Sequence, residues 1–491
     1  MSEIKAGAVL NYINLGLRLG VPLLLTPYLL EALGPAEYGL YMLASTLLVR
    51  LYLSDLGRTT GTRFLSEYQA RNDTVGEARF LGTLTILYSL AGAVLLGLGL
   101  TVYPFLGTIF PKFSPAELST YRVLYLMTLL NAAIMFPARS LTGIADSRQK
   151  FALPGLIAVG ASLLSAGGTW LLAALGYRSI GLVAFNIGTG ALALLLNMLY
   201  CFVGLKARLN LKEWDLTLCR SLFTFSGWLL LNQLINMLNA GTGNYLVAIT
   251  CGAEQAAIYT CGLQIYANYF LLGGCLSQLF LPRVVRMVQR GASPLLQTEA
   301  MIRLGRAQLL ILLPVAIAIL FYGRQFFFLW IGHKLGEQAE LSWLIAVALI
   351  IPQTFSLAQA LGWQISQARN ALRQRVAIMA FNSLLFIIVS YFVCLWWGIA
   401  AQAIWAACSI TIQLLMLNLI HYRGLGLSPL RFYTRLLKEW RLRGPLLLLC
   451  AWSVHELIPG CGWYNLAVKL ISFAALYLII IKHSFRATVS E

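Results

Sequence analysis

The chain has 491 residues, 59% of them hydrophobic and only 11% charged, with a formal net charge of +18. Average globular chains carry about 25% charged residues, so most soluble functions are excluded. The basic excess lies in short breaks between apolar runs, where it sets orientation and meets anionic headgroups, and this argues against a nucleic-acid partner.

Hydrophobic stretches recur about every thirty residues, and each is expected to span a membrane as a helix because lipid leaves no open backbone polar group unpunished. The expected spans are 6–30, 39–57, 80–102, 119–138, 151–174, 180–204, 221–247, 255–280, 304–322, 341–362, 374–397, 399–420, 444–458 and 464–482, fourteen in all. The first follows Met1-Ser2-Glu3-Ile4-Lys5 with no A-x-A cleavage site, so it reads as an uncleaved helix rather than a signal peptide. With the N-terminus in the cytoplasm, the cytoplasmic breaks and the span ends beside them hold 28 Lys and Arg and the outer loops hold 4. That asymmetry orients the chain and places both termini inside. Arg18, Arg50, Arg122 and Lys469 fall within spans. The outer loops are too short to carry a core of their own. Ser428–Arg443 reads as an interfacial amphipathic helix, capped by Ser428 and opened by Pro429, and Lys206–Arg220 as a second candidate.

Gly34-Pro-Ala-Glu-Tyr-Gly-Leu-Tyr41 and Gly252-Ala-Glu-Gln-Ala-Ala-Ile-Tyr259 lie 218 positions apart, each between two apolar runs. The same offset sets Asn14 on Asn232 and Arg18 on Asn236. It superposes spans 1 and 2 on spans 7 and 8, with both repeats starting on the cytoplasmic side. The expected architecture is therefore an all-α integral membrane protein with two parallel six-helix lobes around a central cavity and two C-terminal helices. The expected divisions are an N-lobe over 1–204, a linker over 205–220, a C-lobe over 221–420, the interfacial helix over 421–443, and spans 13 and 14 with a tail over 444–491.

Charge at mid-membrane costs about 2.5–3.5 kcal/mol on insertion scales and normally faces a watery interior. Arg18 lies halfway along span 1 with Asn14 one turn before it. Asn232, Asn236 and Asn239 follow an i, i+4, i+7 stripe in span 7, and Gln264 and Asn268 are one turn apart in span 8. Arg50 and Asp55 lie in the second half of span 2. These residues are expected to line a cationic, amide-rich cavity for a hydrophilic cargo; interhelical hydrogen bonding is the competing role for any single amide. Asp55 opposes the dipole at the end of its helix, so a salt bridge with Arg50, Arg58 or Arg63 competes with coupling-ion binding. Nine scattered cysteines without a C-x-x-C pair, and only four His, give no metal signature. Cys450 and Cys461 flank one outer loop, where a disulfide is conceivable. No catalytic constellation or cofactor motif emerges.

Leu33-Gly34-Pro-Ala-Glu37-Tyr38-Gly39-Leu-Tyr41, Asp55-Leu56-Gly57 and Arg63-Phe-Leu-Ser-Glu67-Tyr68 resemble the polysaccharide flippase family of the multidrug/oligosaccharidyl-lipid/polysaccharide flippase superfamily. The close match covers about residues 1–80, and span number and topology extend a weaker one over the chain. The resemblance implies a multi-pass protein of the bacterial inner membrane with no covalent chemistry. Its cargo would be undecaprenyl-diphosphate-linked oligosaccharide repeat units, moved from the inner to the outer leaflet by alternating access for O-antigen, capsule or exopolysaccharide assembly. Membrane lipids and polysaccharide-assembly proteins such as a polymerase would be its partners. In place of the family's glycine-rich run after Asp-Leu-Gly stands Arg58-Thr-Thr-Gly61-Thr; Arg58 at the inner mouth either meets diphosphate or holds topology. A cation-coupled antiporter of the same superfamily is the first alternative. A membrane polymerase or ligase is the second, and the absence of a large outer loop counts against it.

Overall fold

Apolar runs without water must satisfy their own peptide groups, and every regular element among the described residues is a helix. The computed structural model describes residues 3–52, 56–138, 141–211, 231–232, 234–236, 239, 241–278, 280–369 and 371–489. The chain forms two compact units, 1–257 and 258–491. The first holds α1 (Glu3–Leu33), α2 (Pro35–Tyr52), α3 (Leu56–Ala70), α4 (Thr74–Val102), the short α5 (Leu106–Ile109), α6 (Pro115–Ala138), the short α7 (Thr142–Ser147), α8 (Ala152–Ala174), α9 (Ser179–Leu199) and α10 (241–251). Helix α11 (Ala253–Gln278) begins in the first unit and continues into the second. There follow α12 (Leu281–Gln289), α13 (Pro294–Leu335), α14 (Gln338–Ala358), α15 (Ala360–Ala368), α16 (Leu372–Met416), α17 (Pro429–Leu457) and α18 (Trp463–Val489).

Helix starts follow local chemistry. The Asp73 carboxylate accepts from the Gly76 amide at 2.8 Å and opens α4. At α6, Ser114 and Glu117 form a reciprocal capping box, at 2.7 and 3.3 Å. Ser293 caps α13, and Pro294 occupies its first turn.

Nine helical segments among the described residues are long and apolar enough to cross a membrane. One of them, Leu372–Tyr422, has 51 residues and breaks at Gly398 (φ 75°, ψ −164°), the expected boundary between spans 374–397 and 399–420. Helices α2, α11 and the second half of α17 cover three further expected spans. They fall outside the nine because polar and charged residues dilute them. The expected span 221–247 lies mostly outside the described residues.

Two boundaries differ from expectation. Helix α13 starts at Pro294, ten residues before its expected span, and runs 42 residues. Helix α17 joins the expected interfacial segment and the expected thirteenth span in one 29-residue helix, with Pro445 inside it. Its buried residues Phe432, Leu436, Trp440, Leu447 and Val454 recur at helical spacing and pack within the core of the second unit. The expected interfacial helix therefore turns its apolar stripe to protein. Arg431 and Arg435 reach Glu299 at 2.6 and 3.0 Å, and Arg306 reaches Glu439 at 2.8 Å, so α13 and α17 run side by side beyond their apolar parts. Cys450 and Cys461 are both free.

Within lipid the pull between helices comes from close packing at small residues rather than from expelled water. A Cβ on Gly39 of α2 would lie 2.1 Å from the Ala253 carbonyl oxygen, and one on Gly262 of α11 would lie 2.6 Å from that of Ser342. Helix α1 packs mainly on α8, α4 on α6, and α8 on α9; in the second unit α13 packs on α14, α17 and α18.

The 218-residue repeat is visible in the backbone. Gly34 and Gly252 both take positive φ, 76° and 97°, between consecutive helices. Their amides donate to Leu30 O at 3.0 Å and Ala248 O at 3.2 Å. Their carbonyls accept from Tyr38 N at 3.0 Å and Ala256 N at 3.2 Å. Further on, α9 ends in a π-helical turn at Tyr200–Gly204 and α16 in one at Leu417–Tyr422. A wide turn recurring at one offset in two dissimilar stretches is the mark of a duplicated unit.

Candidate substrate-binding face

Arg18 is the midpoint of the 31-residue helix α1. At 1.5 Å per residue about 22 Å of helix lies on either side of it. The Arg18 side chain is exposed and makes no hydrogen bond or ion pair with the described residues. Asn14, half-buried one turn earlier, accepts a hydrogen bond from Ser162 Oγ of α8 at 3.0 Å. Asn11, also exposed, completes a strip: at about 100° per residue the three side chains leave α1 within a ~60° arc. The strip borders the seam with α8, where a Cβ on Gly155 would approach Leu10 at 3.0 Å. The structure thus places Asn14 and Arg18 on one strip of α1, with Asn11 and Ser162 beside them. The i−3 spacing of Asn11 from Asn14 was its only sequence signal.

The matching stripe after the linker also runs from buried to exposed. Asn232 is buried, with its Oδ1 lacking a hydrogen-bond partner among the described residues, Asn236 is exposed and Asn239 is half-buried. In α11, Gln264 and Asn268 are half-buried, and both interact with neighbouring groups. Asp55 lies outside the described residues, and so do the side chains of Arg50, Arg58 and Arg63; Arg58 and Arg63 belong to α3 by backbone.

Polar groups not picked out in sequence hold the helices behind this face. Tyr41 of α2 accepts from Asn186 Nδ2 of α9 at 3.5 Å, and Asn186 Nδ2 also meets Thr169 Oγ1 of α8 at 3.2 Å. Ser165 Oγ donates to the Asn186 carbonyl oxygen. The second unit repeats the motif: the Tyr259 hydroxyl faces the Gln402 side chain, which donates to Ser390 Oγ at 3.1 Å. A further buried network lies near the π-helical turn of α16. His421 meets Ser366 Oγ at 2.8 Å, Gln359 donates to Asn418 at 2.8 Å, and Arg375 donates to Tyr422 at 3.0 Å while lying 4.7 Å over the Trp363 ring. Among the described residues no three His, Cys, Asp or Glu side chains converge on a metal-sized site. The arrangement supplies a cation and neutral amides, suited to binding rather than bond-making.

The whole chain is similar to solved transporters. A structure of the lipid II flippase MurJ in an inward closed conformation matches with a TM-score of 0.75 at 14% identity, over 98% of this chain and 99% of that one. An inward-facing multidrug resistance transporter of the MATE family, in the MOP superfamily, matches at 0.65 and 14% over 87% and 94%. A Vibrio cholerae MATE transporter matches at 0.56 and 16% over 90% and 97%. These likenesses show the fold of that superfamily. No curated protein matches the chain in sequence. The profile described as polysaccharide biosynthesis protein matches residues 32–340, well over half of the chain, and the chain belongs to that family.

Proposed function

We propose that this protein is a non-catalytic flippase. It carries undecaprenyl-diphosphate-linked oligosaccharide repeat units from the inner to the outer leaflet of the bacterial inner membrane by alternating access, with both termini cytoplasmic, and feeds surface polysaccharide assembly. The observation that carries this reading is Arg18: a cation at the middle of a membrane helix, exposed and without a partner among the described residues. A charge so placed needs water or an anion, and a lipid-linked diphosphate supplies the anion. Asn11, Asn14 and Asn236 exchange amide hydrogen bonds with sugar hydroxyls that have left water. Family membership supports the pathway, and the likeness to a lipid II flippase over nearly the full chain supports the kind of cargo.

The likeness to MATE transporters favours a second reading, a cation-coupled antiporter of small molecules. Proteoliposomes separate the two. A flippase exposes a lipid-linked oligosaccharide to an external glycosidase, and Arg18→Ala slows this more than tenfold. Drug uptake driven by an ion gradient, with no exposure of the lipid-linked sugar, would establish the antiporter instead.

A further inference from the structure

Arg122 is a second in-span cation, and nothing in the cargo face accounts for it. It lies two turns inside α6 from Pro115, at the end expected to face away from the cytoplasm, the side poor in basic residues. Helical side chains lean toward the helix N-terminus. The guanidinium accordingly rises to the level of Leu118, under the turn Tyr103–Ile109. There a Cβ on Gly107 would lie 3.3 Å from Leu118 Cδ2 and 3.7 Å from Arg122 Nη2. Tyr121 packs on Phe110 and Phe113, ring centroids 5.0 and 5.7 Å apart, and fixes the turn over this end of the helix.

Among the described residues four arginines, Arg122, Arg306, Arg375 and Arg431, bury Nε without a hydrogen-bond partner. Three of them direct Nη elsewhere: to Glu439 at 2.8 Å, Tyr422 at 3.0 Å and Glu299 at 2.6 Å. Arg122 differs, making no hydrogen bond or ion pair with the described residues. Glu117, the acid nearest in sequence, is turned back into the capping box with Ser114. Arg122 is half-buried as a residue, which leaves part of its side chain open to an external ligand.

We infer that Arg122 is a phosphate-binding residue at the outer headgroup level, taking a phosphate ester oxygen as its missing counter-charge. Its planar fork suits phosphate oxygens, and its depth suits an anion carried on a lipid. The source is either a phospholipid headgroup or a lipid-linked diphosphate. This inference does not depend on the Arg18 reading.

Thermal unfolding of the full chain in neutral detergent tests it. The ligands are dioleoyl-phosphatidylglycerol and farnesyl diphosphate, and the background is Arg18→Gln, so that the two arginines are not confused. The parent is expected to gain several degrees with at least one ligand, Arg122→Gln to lose at least half of the gain, and Arg122→Lys to fall between. An Arg122-dependent shift with phosphatidylglycerol identifies a bilayer phospholipid as the source; one confined to farnesyl diphosphate identifies a lipid-linked diphosphate. No shift in the parent, or equal shifts in all three proteins, overturns the inference. Should Arg122→Gln fail to fold, Arg122→Lys decides: a shift equal to the parent's overturns it.

Discussion

The two halves of the repeat share their frame and differ in their charge. Gly34 and Gly252 turn the chain with the same hydrogen-bond pattern, and Tyr41 and Tyr259 meet amides on later helices. Arg18 and Asn236 are exposed at equivalent positions, whereas Asn14 and Asn232 are partly and fully buried. One copy thus keeps a cation where the other keeps a neutral amide. On the proposed function, duplication preserved the scaffold while cargo chemistry became one-sided, the first repeat meeting the anion and the second contributing amides.

The largest effect expected from breaking this asymmetry is at Arg18. A charge-assisted hydrogen bond is worth about 1.5–3 kcal/mol, so Arg18→Ala should lower flipping in proteoliposomes by roughly 10- to 100-fold, with Arg18→Lys partly active. Asn236→Ala should cost less than Arg18→Ala in the same assay. Equal losses would mean that the halves share the work evenly.

Next in size is Gly39, whose repeat partner is Ala257. A Cβ at Gly39 would lie 2.1 Å from the Ala253 carbonyl oxygen, closer than any Cβ tolerates. Gly39→Val should destabilise by about 1–3 kcal/mol or more, read as a lower unfolding midpoint in detergent. An unchanged midpoint would remove the close α2–Ala253 contact from the account.

At the shared turns, Gly34→Ala and Gly252→Ala should each cost about 1–2 kcal/mol, because an L-residue is strained at positive φ. Similar losses sharpen the claim of a common frame, and a large loss at only one turn breaks it. The smallest effects belong to the polar clamps. Asn186→Leu and Gln402→Leu each remove interhelical hydrogen bonds worth about 0.6 kcal/mol on average, and should shift the midpoint only slightly while leaving cargo specificity intact.

Most of the helical frame was legible in sequence because the bilayer imposes both length and composition on a span. Gly398 falls where apolar periodicity parted two helices, and Arg18 stood out because a mid-span cation has no bland explanation. Helix α17 was misjudged for a physical reason. The cluster from Arg431 to Arg443 marks where water begins, but a helix need not end there. Charges on one face pair with Glu299, while Phe432, Leu436 and Trp440 continue the packed stripe on the other. The same reason extends α13 beyond its apolar part. Asn11, Ser162 and Asn186 passed unnoticed because an isolated amide or hydroxyl in a span is common, and only contact with another helix gives it meaning.

The central claim is that water or an anion reaches the middle of α1. It is tested most directly by thiol labelling of Arg18→Cys in proteoliposomes, with the parent chain's native cysteines as background. The account predicts rapid modification by a charged, membrane-impermeant methanethiosulfonate, slowed by lipid-linked oligosaccharide. Reaction only with a lipid-soluble maleimide would place position 18 among acyl chains and contradict it.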